Sequence, residues 1–187
     1  MPPHDDKHAR GHLSDPSRLR IKSPDDDGLF QVVIETPKGS RNKYAFDPDQ
    51  GAFVLKHVLP AGMTFPYEFG FVPSTLADDG DPIDVLVLMD QPAFPGCVTH
   101  CRLIGAIKGE QVEKKKRTRN DRLVAVESES HDLAHVRRLS DLGGKFVNEL
   151  EMFFVHYHEL NGKKYRLLGT VGPDAARKLV KAAAKKV

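Results

Sequence analysis

The stretch DDGDPIDVLVLM, residues 78–89, constrains the fold most, because four aspartates within seven positions directly precede five apolar residues. Gly80 and Pro82 favour a turn, and Pro82 has no backbone N–H to give to a sheet. The apolar run at 85–89 then predicts a buried strand. The sequence therefore predicts a short, stiff loop at the entrance of that strand, from which three carboxylates project: Asp79, Asp81 and Asp84.

Carboxylates held this close together repel one another unless a cation lies among them. Divalent cations that prefer oxygen ligands neutralise such a cluster directly. The alternative is a solvated turn that only begins a strand, since Asp and Gly are common turn residues. An EF-hand calcium loop does not fit, because Pro82 interrupts it and no bidentate glutamate follows before a helix. The loop therefore predicts a site for a hard divalent ion.

Length and composition fit one domain at 28–187 behind an N-terminal arm. The chain has 187 residues, of which 40% are hydrophobic and 29% charged, enough for one core and too few for two. Residues 1–27 carry four prolines and few apolar residues, so we expect a flexible arm there. Three histidines of this arm would form a metal site only in a helix, which the prolines disfavour: His4, His8 and His12.

Composition also disfavours several classes of partner. No run reaches the about 18 apolar residues of a membrane span, and the N-terminus lacks the apolar run of a signal sequence. The net charge of +2 gives no global field for nucleic acid or a membrane surface. Cys97 and Cys101 would lie roughly 13 Å apart on one strand, too far for a disulfide. The sequence predicts a cytoplasmic protein with reduced thiols and neither nucleic acid nor membrane as partner.

Hydrophobic patterning predicts strands first and helices last. Two late segments have helical spacing: one with apolar residues at 146, 150, 153, 154 and 157 after a cap at Ser140 or Asp141, and one that opens with Pro173. The stretch 113–122 gathers six lysines and arginines and predicts a hairpin tip. The fold class is α+β, mainly β: a closed barrel with two flanking helices. Seven segments rich in β-branched and aromatic residues predict its strands: 29–36, 43–47, 52–59, 69–73, 83–89, 97–109 and 122–127.

The acidic loop carries a resemblance to a known family. Its sequence DGDPIDV, residues 79–85, resembles the signature of the soluble family I inorganic pyrophosphatases. This resemblance implies an OB-like barrel core of five strands with flanking helices, a dependence on Mg2+ with Mn2+ as an alternative, and assembly as a hexamer. The likeness extends over most of 28–187, in segments that resemble the family's opening strand, central hairpin and helix: VVIETPKGSRNKYAFD, GAFVLKHVLPAGMTFPYEFGFVPSTL and FFVHYHEL.

The resemblance implies hydrolysis of pyrophosphate by metal-activated water, a reaction that carboxylates holding Mg2+ serve by acidifying water and neutralising phosphate charge. Asp79 and Asp84 would bind metal, and Glu35 would hold a further ion from the first strand. Asp81 would act as general base on the attacking water. By the same likeness, five positions would contact substrate: Lys43, His57, Arg122, Tyr157 and His158. Read without it, Glu35 and Lys43 are ordinary polar strand residues, and Tyr157 is a core residue.

The chain also departs from the family pattern. Where the family has a glutamate and an arginine, this chain has Ala45 and His57, and where the family has two tyrosines, it has Phe65 and Phe69. Asn120 stands in place of a metal-bound aspartate, and Arg122 and His158 stand in place of two lysines. Glu110, Glu113 or Asp121 are candidates to restore the lost ligand. Because lysines and arginines stand where the family keeps carboxylates, we hypothesise a two-metal site completed by the basic hairpin. Such a site would hydrolyse pyrophosphate slowly, or accept a polyphosphate or an organic diphosphate.

Two other classes of function remain open to comparison. A catalytically silent binder of phosphate or metal is favoured by the substitutions and disfavoured by the intact aspartates of the loop. Binding of single-stranded nucleic acid is disfavoured, because 110–125 holds no aromatic residue for base stacking. His131 and His135 lie one helical turn apart, but nothing acidic or thiolate accompanies them, which favours surface histidines over zinc ligands.

Overall fold

The computed structural model describes residues 15–19, 28–114 and 116–184. Most of the predicted arm, and with it His4, His8 and His12, lies outside these ranges. None of the helices in the described part is long and apolar enough to cross a membrane. Within these ranges the chain forms short 3-10 helices at Pro16–Arg18 and Leu139–Leu142, and these elements: β1 (Leu29–Thr36), β2 (Asn42–Asp47), β3 (Ala52–Val58), β4 (Glu68–Phe71), β5 (Asp84–Leu88), β6 (Val98–Glu113), β7 (Lys116–Arg119), β8 (Arg122–Glu127), α1 (Gly144–Leu160), β9 (Lys164–Val171) and α2 (Pro173–Ala183).

Five of the strands close into a barrel. Around the ring the order is β1, β4, β5, β8 and β6, and β6 pairs with β1 to complete it. The β5–β8 pair is parallel and the other four pairs are antiparallel. β6 also carries β7 and β9 along its length, while β2 and β3 form a separate two-stranded sheet. The predicted mainly-β class, with a five-stranded barrel and two helices, is confirmed.

Two differences from the predicted elements have local causes. β9 was not predicted; it pairs with β6, and its largely exposed side chains give no apolar alternation for a sequence to display. The cap predicted at Ser140 or Asp141 is wrong, because these residues lie in a 3-10 helix and α1 begins at Gly144 after Gly143. The Asp141 carboxylate instead accepts hydrogen bonds from the backbone N–H groups of Arg137 and Arg138.

The core has two parts, which β5 separates. Val85 and Val87 join the cluster that packs against α2, whereas Leu86 and Leu88 join the cluster that packs against α1. Successive side chains of a strand point to opposite faces, so a strand covered on both faces must be apolar throughout. This explains the unbroken run VLVL after the acidic loop. Both cysteines are free, as predicted, with Cys101 buried and Cys97 half-buried.

The close approach of β1 and β4 requires glycine at position 70. A Cβ there would lie 2.1 Å from the Val33 carbonyl oxygen and 2.9 Å from its carbon, both backbone atoms that cannot turn aside. We expect Gly70→Ala to lower the free energy of unfolding by about 2 kcal/mol or more, measured by urea denaturation. Gly144→Ala is the control, because a Cβ at this helical position meets open space. Equal midpoints for the two variants would contradict the prediction.

His158 belongs to the core rather than to the protein surface. Its side chain is 3% exposed, its Nδ1 lies 2.8 Å from the Phe154 carbonyl oxygen, and its ring stacks on Tyr165 at 4.5 Å between centroids. Burial, aided by the positive charge of Arg122, lowers the pKa of His158 from 6.5 to about 4. The imidazole is therefore neutral in the folded protein at pH 7.

This burial predicts a pH dependence of stability. Between the two pKa values the unfolded chain binds a proton at His158 that the folded protein does not, so the stabilisation is complete above pH 6.5 and is lost as the pH falls toward 4. From pH 7 to pH 5 we expect the free energy of unfolding to fall by about 2 kcal/mol more in the wild type than in His158→Gln, measured by urea denaturation. His156→Gln, exposed on the same helix, should keep the wild-type dependence. An undiminished fall in His158→Gln would contradict this assignment.

Candidate active site

A cavity of about 950 Å³ opens beside the entrance of β5. β1, the β2–β3 hairpin, the acidic loop, β8 and α1 all contribute to its wall. Six of the residues predicted for the site line it: Glu35, Lys43, Asp81, Asp84, Arg122 and Tyr157. The structure therefore brings together side chains from distant parts of the sequence.

An ion pair between Asp84 and Arg122 lies at the centre of the cavity wall. The parallel pairing of β5 with β8 sets Val85 opposite Leu123, so the preceding residue of each strand is adjacent to the other. Arg122 Nη1 lies 2.7 Å from Asp84 Oδ2, and Arg122 is 5% exposed. Burial raises the pKa of Asp84 to about 6, although the charges of Arg122 and Lys43 oppose the rise. Among the described residues, Arg122 Nε is buried without a hydrogen-bond partner, so this guanidinium is not fully satisfied within the fold.

A second buried pair joins β1 to the β2–β3 hairpin. Lys43 Nζ donates to Glu35 Oε2 at 3.0 Å, and the Phe46 N–H donates to Glu35 Oε1 at 2.8 Å. Lys43 Nζ also lies 4.1 Å from the centroid of the Phe69 ring, a cation–π contact. The Phe69 ring thus lies as an apolar face beneath the ammonium group of Lys43. The ammonium group is fixed at the cavity wall rather than free in solvent.

Tyr157 and His57 support each other across the hairpin and α1. The Tyr157 hydroxyl lies 3.1 Å from His57 Nε2. Burial raises the pKa of Tyr157 to about 12, while burial and the charge of Lys43 lower the pKa of His57. Tyr157 is therefore a neutral hydroxyl in the cavity wall. His57 contacts the Tyr157 hydroxyl but does not itself line the cavity.

The acidic loop is held as a stiff turn, as predicted. Thr75 Oγ1 accepts a hydrogen bond from the Ile83 N–H at 2.9 Å and donates to the Val72 carbonyl at 2.6 Å. The Ala77 N–H donates to the Asp81 carbonyl at 2.8 Å, and Gly80 takes a φ of 96°, which favours glycine. Asp81 and Asp84 of this loop line the cavity, whereas Asp79, a predicted metal ligand, is exposed and is not among the lining residues.

Other predicted residues lie elsewhere. His158 is in the core, so its predicted substrate contact is replaced by its bond to Phe154. The basic hairpin does not complete the site either, because none of its described residues from 113 to 119 lines the cavity. β7 pairs back along β6, and Glu113 meets Lys163 at 3.6 Å. The hypothesis of a site completed by the hairpin tip is therefore not supported by its position.

The candidates for the lost metal ligand are also engaged elsewhere. Asp121 accepts the Gly109 N–H at 3.0 Å and pairs with Arg119 at 2.8 Å. Glu110 stands opposite Arg119 in the β6–β7 ladder. Asn120 is buried: its backbone carbonyl accepts the Tyr165 hydroxyl at 2.7 Å, and its side-chain amide donates to Gln111 Oε1 at 3.4 Å. The side chains of Asp121 and Asn120 therefore have their partners on β6 and β7.

Sequence reasoning missed part of the cavity wall. Residues of the predicted arm reach it, and so do charged residues at the tip of the β2–β3 hairpin: Asp15, Ser17, Arg18, Asp47, Asp49 and Lys56. A polar, proline-containing segment has no periodicity that would place it, so no signal in residues 15–19 pointed to the site.

The carboxylates near the cavity suit an oxygen-preferring divalent cation. Desolvation raises the pKa of Asp79, and the negative charges of Glu35 and Asp79 both contribute to the raised pKa of Asp84. The positive charges of Arg122 and Lys43 therefore do not fully cancel the repulsion among these carboxylates. Within 15–19, 28–114 and 116–184, no three His, Cys, Asp or Glu side chains converge closely enough to form a metal group as they stand. The donor set fits such an ion by its chemistry, and a bound cation would relieve the remaining repulsion.

Comparisons with known proteins agree with the site. Residues 32–187 match the family model described as inorganic pyrophosphatase. The inorganic pyrophosphatase of Synechocystis sp. is 40% identical over 166 residues, which cover 89% of this chain and 96% of that protein. That of Geobacillus stearothermophilus is 39% identical over 156 residues, covering 81% and 90%. The crystal structure of the inorganic pyrophosphatase from Thermus thermophilus superposes with a TM-score of 0.83 at 35% identity, covering 91% of this chain and 97% of that chain. This chain therefore belongs to the inorganic pyrophosphatase family, the soluble family I that its aspartate motif resembles.

Proposed function

We propose that this protein hydrolyses inorganic pyrophosphate to two phosphates by attack of a metal-activated water. The observation that carries the proposal is the convergence of two buried cations, Lys43 and Arg122, with the carboxylates of Asp81 and Asp84 at one cavity. A dianionic or more highly charged substrate needs those cations, and the attacking water needs a base. Family membership supports the same reaction.

Three side chains are suited to binding phosphate oxygens. Lys43 supplies a fixed ammonium, Arg122 a fixed guanidinium and Tyr157 a neutral hydroxyl donor, and all three residues line the cavity. Their burial lowers the local dielectric constant and strengthens each contact with an anion. His57 positions Tyr157 and has no direct contact with phosphate in this proposal.

Family membership implies a divalent metal cofactor, and we propose Mg2+, with Mn2+ as a substitute. Asp79 and Asp84 would hold it, and Glu35 would hold a further ion. Arg122 occupies Oδ2 of Asp84, whereas both oxygens of Glu35 accept hydrogen bonds, so Asp84 is the more available ligand. When bound, such an ion lowers the pKa of coordinated water and neutralises phosphate charge.

Asp81 is proposed as the general base. It lines the cavity from the exposed part of the loop, where a carboxylate can accept a proton from water. We expect Asp81→Asn to lower kcat at least about a hundredfold in a phosphate-release assay with pyrophosphate and Mg2+, because the amide cannot accept that proton.

Asp78→Asn is the matched control, since Asp78 is exposed in the same loop and does not line the cavity. Its kcat should stay within about twofold of the wild type. Equal activity of the two variants would remove Asp81 from the mechanism. Activity in neither the variants nor the wild type, on pyrophosphate, tripolyphosphate or a nucleoside triphosphate, would favour a silent binder.

Two hypotheses differ in the role of the basic hairpin. Ordinary pyrophosphate hydrolysis does not require its lysines, whereas an altered specificity completed by the hairpin does. Lys114 and Lys116 do not line the cavity, whereas Arg122 does. At about 0.15 M salt, where distant surface charges are screened, we expect Lys114→Gln with Lys116→Gln to leave kcat/KM within about twofold. Arg122→Gln should lower it about a hundredfold or more, because Asp84 also loses its buried partner. A comparable loss in the hairpin variant would restore the hairpin to the site.

Two further expectations from the resemblance stay predictions: assembly as a hexamer and a cytoplasmic location.

A further inference from the structure

Residues 15–19, called the strap here, form part of the wall of the candidate active site. Asp15, Ser17 and Arg18 line the same cavity as Asp81, Asp84 and Arg122. The strap precedes residues 32–187, the part that matches the family model. The strap therefore adds three polar side chains to a cavity that is otherwise lined from β1 to α1.

The strap is docked on the corner that also holds the acidic loop. The Ser74 N–H donates to the Ser17 carbonyl at 2.7 Å, and the Ser74 hydroxyl donates to the Leu19 carbonyl at 2.9 Å. Ser74 is buried and takes a φ of 53°, an uncommon conformation for a residue other than glycine. The next residue, Thr75, accepts the Ile83 N–H of the acidic loop. The same short corner thus fixes both the strap and the carboxylates.

Within the strap, Asp15 orients Arg18. The Asp15 carboxylate accepts the Ser17 N–H at 2.9 Å and the Ser17 hydroxyl at 2.6 Å, and its Oδ2 lies 3.2 Å from Arg18 Nε. A guanidinium bound through Nε still presents the N–H groups of its two terminal nitrogens, which suit phosphate oxygens. The Arg18 side chain is 85% exposed, so those groups are accessible to a ligand.

The inner and outer parts of the cavity differ in how their cations are held. Lys43 and Arg122 are buried and already paired with Glu35 and Asp84. Arg18 lies exposed on the strap. Because its guanidinium keeps most of its contact with water, the desolvation cost of its binding an anion is small. A diphosphate with one phosphate bound by Lys43 and Arg122, its inner phosphate, would hold its other, outer phosphate toward the exposed part of the cavity where Arg18 lies.

We propose that Arg18 is a substrate-binding residue, with its guanidinium contacting the outer phosphate of the diphosphate. Asp15 and Ser74 are positioning residues that hold it there. This proposal rests on the proposed function, because its ligand is the substrate of that reaction. The contact involves neither Asp81 nor Asp84, so it strengthens binding and leaves the chemical step largely unchanged.

The test compares Arg18→Gln with Arg177→Gln. Arg177 forms the same kind of ion pair, three residues from Asp174, but on α2 and not in the wall of the cavity. With pyrophosphate and Mg2+, we expect Arg18→Gln to raise KM about three- to tenfold while kcat stays within about twofold, as for loss of one exposed charge-assisted contact. Arg177→Gln should match the wild type, and Arg18→Lys should recover part of the loss. An unchanged KM in Arg18→Gln would overturn the proposal.

A binding measurement keeps this proposal separate from the proposed function. Calorimetric titration with methylenediphosphonate and Mg2+, which requires no turnover, should give a Kd about three- to tenfold higher for Arg18→Gln than for the wild type. If the wild type hydrolyses pyrophosphate and Arg18→Gln shows unchanged KM and Kd, the role of Arg18 is wrong and the hydrolase function stands. If the wild type does not hydrolyse pyrophosphate but Arg18→Gln still binds the diphosphonate more weakly, the reaction is wrong and the binding role stands.

A further variant tests the docking. Ser74→Ala removes the hydroxyl that holds the Leu19 carbonyl and leaves the backbone bond to Ser17 in place. We expect a smaller rise in KM, in the same direction as for Arg18→Gln. Combining the two substitutions should add little to Arg18→Gln alone, because both act through one contact. Fully additive effects would show that Ser74 acts on the acidic loop and not through Arg18.

Discussion

The site depends on the parallel pairing of β5 with β8. This pairing places the first residue of each strand side by side at the cavity, and those residues carry opposite charges, Asp84 and Arg122. Removing both charges from water is costly unless they meet in good geometry. The 2.7 Å contact provides it, and the apolar residues that follow in both strands hold the two backbones in register. The fold thus determines where a buried cation and a half-buried carboxylate lie.

The balance of charge in the cavity explains why the substitutions in this chain are compatible with the family's chemistry. Asn120, where the resemblance implies a metal-bound aspartate, is buried, and its backbone carbonyl accepts the Tyr165 hydroxyl. Arg122, where the resemblance implies a lysine, supplies more donors and a permanent charge. On this resemblance the site has one carboxylate fewer, and more of the neutralisation of the substrate falls to the protein's own cations. The acidic loop retains the carboxylates that a metal ion would require.

The order of elements and the acidic loop were predictable from local signals. Turn residues and alternating apolar residues marked seven barrel and hairpin strands, and DGDPIDV marked the site. Contacts between distant segments were not predictable. Nothing in the neighbourhood of His158 shows that its ring stacks on Tyr165, and nothing near Arg18 shows that Ser74 receives the strap. The predicted contribution of the basic hairpin to the site has the same explanation. The direction of a hairpin tip depends on the strands with which it pairs, here β6 and β7, and not on its own charge.

The separate β2–β3 hairpin has a consequence for how the molecule opens. Two strands alone are marginally stable in water, and this pair shares no ladder with the barrel in the described part of the chain. The side chains that hold it include Lys43, bonded to Glu35, and His57, bonded to Tyr157. Lys43 and Tyr157, which line the cavity, therefore also take part in attaching the hairpin. A ligand that engages them shifts the local unfolding equilibrium of the hairpin toward the attached state, so occupancy of the site and hydrogen-exchange protection of the hairpin are linked quantities.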